Sequence, residues 1–124
     1  METARDQTGV AIKPLCALLV NKEEDPGVRY ACAKALGKAH YKYEPIEALI
    51  RTISEITPQD RHLFDFGANV TDVLNGMAGE DFGKDRRTPE LWQNWWEENR
   101  ERLRKEDEVR REERRRAQAK EKKK

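Results

Sequence analysis

The chain has 124 residues, with 25 Lys+Arg against 24 Asp+Glu, so 40% of it is charged and only 36% apolar. This length supports one small domain and hardly more, and no stretch approaches the ~20 apolar residues that span a bilayer. The opening METARDQTGV has no apolar run beside a basic start, so no secretory leader is expected.

The even charge balance hides a split. Residues 97–124 hold 13 basic and 9 acidic residues, net +4, whereas residues 1–96 hold 12 and 15, net −3. Only Leu103, Val109, Ala117 and Ala119 are apolar after residue 96. The first part reads as an ordinary soluble body. The second is a hydrophilic extension, unable to bury a core of its own.

Strand signals are scarce, and the apolar residues recur at helical spacing, which predicts an all-α chain. In the first helix Ile12, Leu15, Cys16 and Leu19 fall at i, i+3, i+4 and i+7. Pro14 sits in its first turn, where a missing N–H costs little. After the loop NKEED, Asp25 and Pro26 supply a favoured N-cap and a favoured first position. Val28, Ala31, Cys32, Ala35, Leu36 and Ala39 are expected on the inner face of this second helix. Tyr30, Lys34 and Lys38 are expected opposite.

The third helix begins near Glu44-Pro45 and carries Ile46, Leu49, Ile50, Ile53 and Ile56. Thr57-Pro58 ends it, because a residue before proline disfavours the helical region. The fourth runs from about Gln59 to Asn75. Its apolar face is Leu63, Phe66, Gly67, Val70, Val73 and Leu74, with Met77 beyond; Arg61, Asp65, Asn69 and Asp72 take the other face. A link with Gly76, Gly79 and Gly83 follows. It has neither G-x-G-x-x-G spacing nor a preceding strand, so it reads as helix termination rather than a phosphate loop.

Thr88 and Pro89 then open a fifth helix as N-cap and first position, with Leu91, Trp92, Trp95 and Trp96 as its apolar part. From Glu97 onward there is no Gly or Pro, and Glu and Arg recur three or four apart. Each such pair adds only ~0.2–0.5 kcal/mol, but they are many. A solvated helix that frays toward Lys124 is expected. Leu103 and Val109 do not sustain a coiled-coil heptad.

Cys16 and Cys32 lie inside apolar helical patterns and read as buried, reduced thiols; a disulfide across a helical hairpin stays open. Together with His40 and His62 they form no C-x-x-C and no H-x-x-x-H, so neither a metal nor any other cofactor is expected. A reducing, cytoplasmic setting is the default expectation.

Ile12-Lys13-Pro14-Leu15 matches Ile46-Glu47-Ala48-Leu49 at an offset of 34, and Ala35-Leu36 matches Val73-Leu74 at 38. A two-helix unit occurring twice at this spacing marks an α-solenoid. AIKPLCALLV, an acidic turn and DPGVRYACAKALGKA resemble the short HEAT-like repeats of the bacterial phycobilisome-lyase type. Asp25, Pro26, Val28, Arg29, Leu36 and Gly37 carry the resemblance, over about residues 9–40. The second copy is divergent and has Val73-Leu74-Asn75 where the first has Ala35-Leu36-Gly37. GEDFG followed by LWQNWWEENR is also similar to the C-terminal end of some bacterial HEAT-repeat proteins.

The resemblance implies a short α-solenoid of two hairpins, about 11–39 and 45–77, within residues 9–87. Residues 88–124 are then a Trp-anchored capping helix with a charged extension. It also implies that Asp25 and Arg29 link stacked repeats. A plain N-cap and a solvated arginine are the alternative. Phe82, Trp92, Trp95 and Trp96 read as a cap over an apolar repeat end, which solenoids need, or as a recognition platform.

In HEAT-like arrays the second helices line the concave face, which here implies Tyr30, Lys34, Lys38, Arg61, Asp65, Asn69 and Asp72 as partner-binding candidates. Their mixed charge suits a protein surface, so a non-catalytic protein–protein scaffold is the leading expectation. Self-association, or membership of a longer array, fits the few repeats. Residues 110–124 hold nine basic and three acidic residues, so contact with nucleic acid or an acidic surface is an alternative. The interleaved acids and lack of aromatics make nucleic acid the poorer partner. The resembled repeat type is named for enzymes that attach or detach bilins, which leaves an accessory subunit of a lyase-like enzyme as a further alternative. Related arrays in deoxyhypusine hydroxylase hold iron through His-Glu pairs. Here His40 precedes Tyr41 and His62 precedes Leu63, so no catalytic residue is assigned.

Overall fold

A computed structural model describes residues 11–122. The expectations on residues 1–10, including the absent leader and the repeat start at residue 9, and on fraying at residues 123–124 lie outside the described residues. The described chain is all-helical: α1 (Ile12–Val20), α2 (Pro26–Leu36), α3 (Tyr43–Ser54), a 3-10 turn (Arg61–Leu63), α4 (Phe64–Ala78) and α5 (Thr88–Lys122).

Helix α1 packs on α2 and α3, α2 also on α4, and α3 on α4 and α5. One layer is therefore α1–α3–α5 with α3 in the middle, and the other is α2–α4. Cys16 Sγ lies 3.7 Å from the Glu44 carbonyl and Lys22 Nζ lies 4.0 Å from Glu55, so α1 runs parallel to α3. Gln93 meets Ser54 at 3.0 Å and Asp107 meets Tyr43 at 2.9 Å, so α5 runs antiparallel to α3.

Local chemistry explains most helix ends. Asp25 accepts the Gly27 N–H at 3.2 Å, and Pro26 takes the first helical position. Helix α4 ends on Gly79 at φ 74°, a conformation open to glycine. The start of α5 differs from the expected Thr88 N-cap. Asp85 accepts the Arg87 N–H at 2.8 Å, while Thr88 Oγ accepts the Asp85 N–H at 2.9 Å. Asp85 thus caps the turn before the helix, and the Thr88 hydroxyl reaching back to the Asp85 N–H supplies one arm of a capping box.

Leu19, Leu36, Ile46, Leu49, Val70, Leu74 and Trp92 are fully enclosed. The inner face of α2 is not the expected one. Val28 is 42% exposed and Ala31 is exposed, while Arg29, Cys32, Ala33 and Leu36 are buried. The buried stripe still has i, i+3, i+4, i+7 spacing; an arginine occupies its first position. Gly37 lets the end of α2 approach α4 closely, since a Cβ there would lie 2.9 Å from Val73 Cγ1.

Trp92, Trp95 and Trp96 are buried on α5. Phe82 and Trp92 meet edge-on at 4.8 Å, and Trp96 lies 5.0 Å from Tyr43. The charged extension is not solvated from Glu97 onward. Leu103 is 3% and Asp107 1% exposed, and Arg111 stacks 4.6 Å over the Tyr41 ring. Residues 112–120 then carry no buried side chain.

Candidate functional site

The partner-binding candidates sit on the α2–α4 layer. Arg29 lies over Phe66 at 4.8 Å and Gly37 faces Val73. These contacts, at offsets of 37 and 36, make α2 and α4 parallel neighbours. Lys34 is exposed on α2, with its Nζ 5.5 Å above the half-buried Tyr30 ring. Lys38 is exposed just past the α2 end, and Arg61 is exposed on the 3-10 turn. Asp65, Asn69 and Asp72 are exposed along α4, and Asp72 pairs with Lys84 of the link. The structure thus gathers five of these residues on the adjacent helices α2 and α4, with Lys38 and Arg61 just outside them. Helix α5 packs on α3 and leaves this layer uncovered.

Of the two residues expected to link hairpins, Asp25 is a plain N-cap. Arg29 is 3% exposed and donates from Nε to the Leu19 carbonyl at 2.7 Å. That carbonyl belongs to the last turn of α1, where backbone acceptors lack helical partners. Arg29 therefore ties the end of α1 to α4 through the Phe66 ring. Burial holds its guanidinium below the usual range, and Glu55 opposes that shift. Lys22, Glu55, Asp60 and His62 line a cleft of about 290 Å³ beside it. Two hydrogen bonds from Thr57 hold the Asp60 carboxyl below its ordinary range.

A second cleft, of about 640 Å³, lies on the opposite layer. Its floor is α3, with Glu44, Glu47, Arg51 and Glu55. Cys16 and Ala17 of α1 form one wall; Gln93 and Trp96 of α5 form the other. Burial, reinforced by Glu44 and Glu47, pushes the Cys16 thiol up to about 12. Burial also raises Cys32, with a smaller contribution from Glu24. Both cysteines are free.

Sequence reasoning did not identify this cleft. Its available signal was the polar run Glu44, Glu47, Arg51 on a helix whose other face is apolar. Reading that run as a groove needed the knowledge that α1 and α5 flank α3. Among the described residues no group of three or more His, Cys, Asp or Glu is placed to hold a metal ion, and no helix is long and apolar enough to cross a membrane.

Comparison with protein-family models, with curated proteins and with solved structures returned no match.

Proposed function

We propose that this chain is a non-catalytic protein–protein interaction module, a short α-solenoid of two HEAT-like hairpins closed by the Trp-bearing helix α5. The carrying observation is the uncovered pair of parallel helices α2 and α4, with Tyr30, Lys34 and Lys38 on one side and Asp65, Asn69 and Asp72 on the other. Supporting it are the side-by-side stacking of α1 on α3 and α2 on α4, the close approach at Gly37, and the buried Arg29 between hairpins. A wide, mixed-charge helical surface suits a protein partner.

The test is affinity capture with the full chain, followed by the same capture with Lys34→Glu/Lys38→Glu and with Asp65→Lys/Asp72→Lys. A specific partner should be recovered by the unaltered chain and lost with either double variant. Retention by both variants rejects the α2–α4 face.

The second reading, polyanion contact through the basic end of α5, draws support from the exposed cations between Arg111 and Lys120. Against it, acidic residues interleave with those cations and no aromatic side chain lies among them to stack bases.

A further inference from the structure

We propose that the cleft over α3 seats the basic end of α5 from a second copy of this chain, so that two copies associate by exchanging their helical arms. This goes beyond the α2–α4 face and does not depend on it.

The cleft has the form of a helix-receiving groove. Helices α1 and α5 stand on either side of α3, and the floor from Glu44 to Glu55 is about 17 Å long at ~1.5 Å per residue. Its lining is net acidic by one charge, Glu44, Glu47 and Glu55 against Lys13 and Arg51, with Glu44 also facing Arg111 and Glu55 facing Arg51 and Lys22. Glu47 is exposed and makes no ion pair with a described residue. Ala17 is exposed and small enough to admit another helix closely, while Ala48 and Trp96 lie buried beneath the groove surface.

The occupant is argued from the chain itself. Beyond Arg111, α5 continues as a helix to Lys122. Residues 112–122 hold five basic and three acidic residues, opposite in sign to the groove. They extend about 16 Å, close to the floor length. Arg115, Gln118 and Ala119 share one face of the arm by their i, i+3, i+4 spacing, pairing a cation with a small residue that fits against the exposed Ala17.

The arm cannot fill its own groove. Because α5 runs antiparallel to α3, Asp107 already lies at the first residue of α3. A continuous helix carries residues 112–122 past that end, away from Glu47 and Glu55. A second copy meets no such restriction.

Sedimentation velocity of the full chain over a concentration series tests the exchange. The expected result is a species of twice the 14.5 kDa chain mass, its dissociation constant rising about tenfold or more between low and high salt. Glu47→Lys and Arg115→Glu/Arg116→Glu should each weaken self-association about tenfold. An equimolar mixture of the two variants should restore it, since each groove then meets an arm of opposite charge. Ala17→Arg blocks the groove wall by a separate route and should also give monomer, with helical circular dichroism retained.

A chain monomeric at every concentration and salt overturns the proposal. So does association that both charge variants leave intact, or a mixture that fails to recover. A monomer that instead binds an added basic model helix in the groove also overturns the exchange, and assigns the groove to another protein's helix.

Discussion

Asp107 caps a helix that begins 64 residues before it. Its Oδ2 accepts the Tyr43 N–H at 2.9 Å, and its Oδ1 accepts the Lys42 N–H at 3.0 Å. Lys42, at the start of α3, offers no side-chain cap. A carboxylate there meets both the unpaired N–H groups and the positive end of the helix dipole. Arg110, 2.9 Å away, balances its charge.

Asp107→Ala leaves those part-buried amides without an acceptor. The expected cost is about 1–3 kcal/mol, a drop in Tm of several degrees for a domain of this size. Asp107→Asn keeps an acceptor oxygen and should lose less. Thermal denaturation followed by circular dichroism checks both, and an unchanged Asp107→Ala chain removes the capping role.

Arg29→Met should destabilise by about 2–4 kcal/mol in urea titration. It strips the Leu19 carbonyl of its donor and the Phe66 ring of its cation. Arg29→Lys should recover little, because an ammonium cannot lay a planar face on the ring.

Gly37→Ala should cost about 1–3 kcal/mol through overpacking on Val73. Its backbone is right-handed helical at φ −61°, so alanine is acceptable there once space exists. Val73→Ala should therefore reverse the penalty, and the double-mutant cycle should return a coupling of similar size.

Cys16 should resist alkylation. With the thiol pushed up to about 12 from 9.0, its thiolate population at neutral pH falls about a thousandfold, and the labelling rate with it. Iodoacetamide should react slowly with Cys16 in the native chain and fast in urea. For stability the sign follows from proton binding: between the unfolded and folded values the native thiol holds a proton that the unfolded thiol has lost. Stability from this group is complete below pH 9 and declines as pH rises toward 12. Cys16→Ala should show a shallower alkaline decline in urea titrations at pH 8 and pH 10.

Helical periodicity made the helices legible because each buries one stripe. It misplaced the inner face of α2 because Arg29 is polar by type yet buried by position, paired to a carbonyl and a ring. Val28, apolar by type, stands 42% exposed. Asp107 was illegible for a related reason. An acid among nine in a charged segment carries no local mark of an amide partner on another helix. Asp25 was legible because its cap is satisfied two residues away. The groove over α3 belongs to the same category as Asp107, since its walls come from helices far apart in sequence.

The long reach from Tyr43 to Asp107 also orders events in folding. Pairs α1–α2 and α3–α4 join neighbours along the chain and can zip early, whereas the carboxylate reaches its amides only after a wide loop has closed. The Tyr43 and Lys42 amides should therefore be the late reporters in pulsed hydrogen exchange, protected only when α5 has settled against its partner.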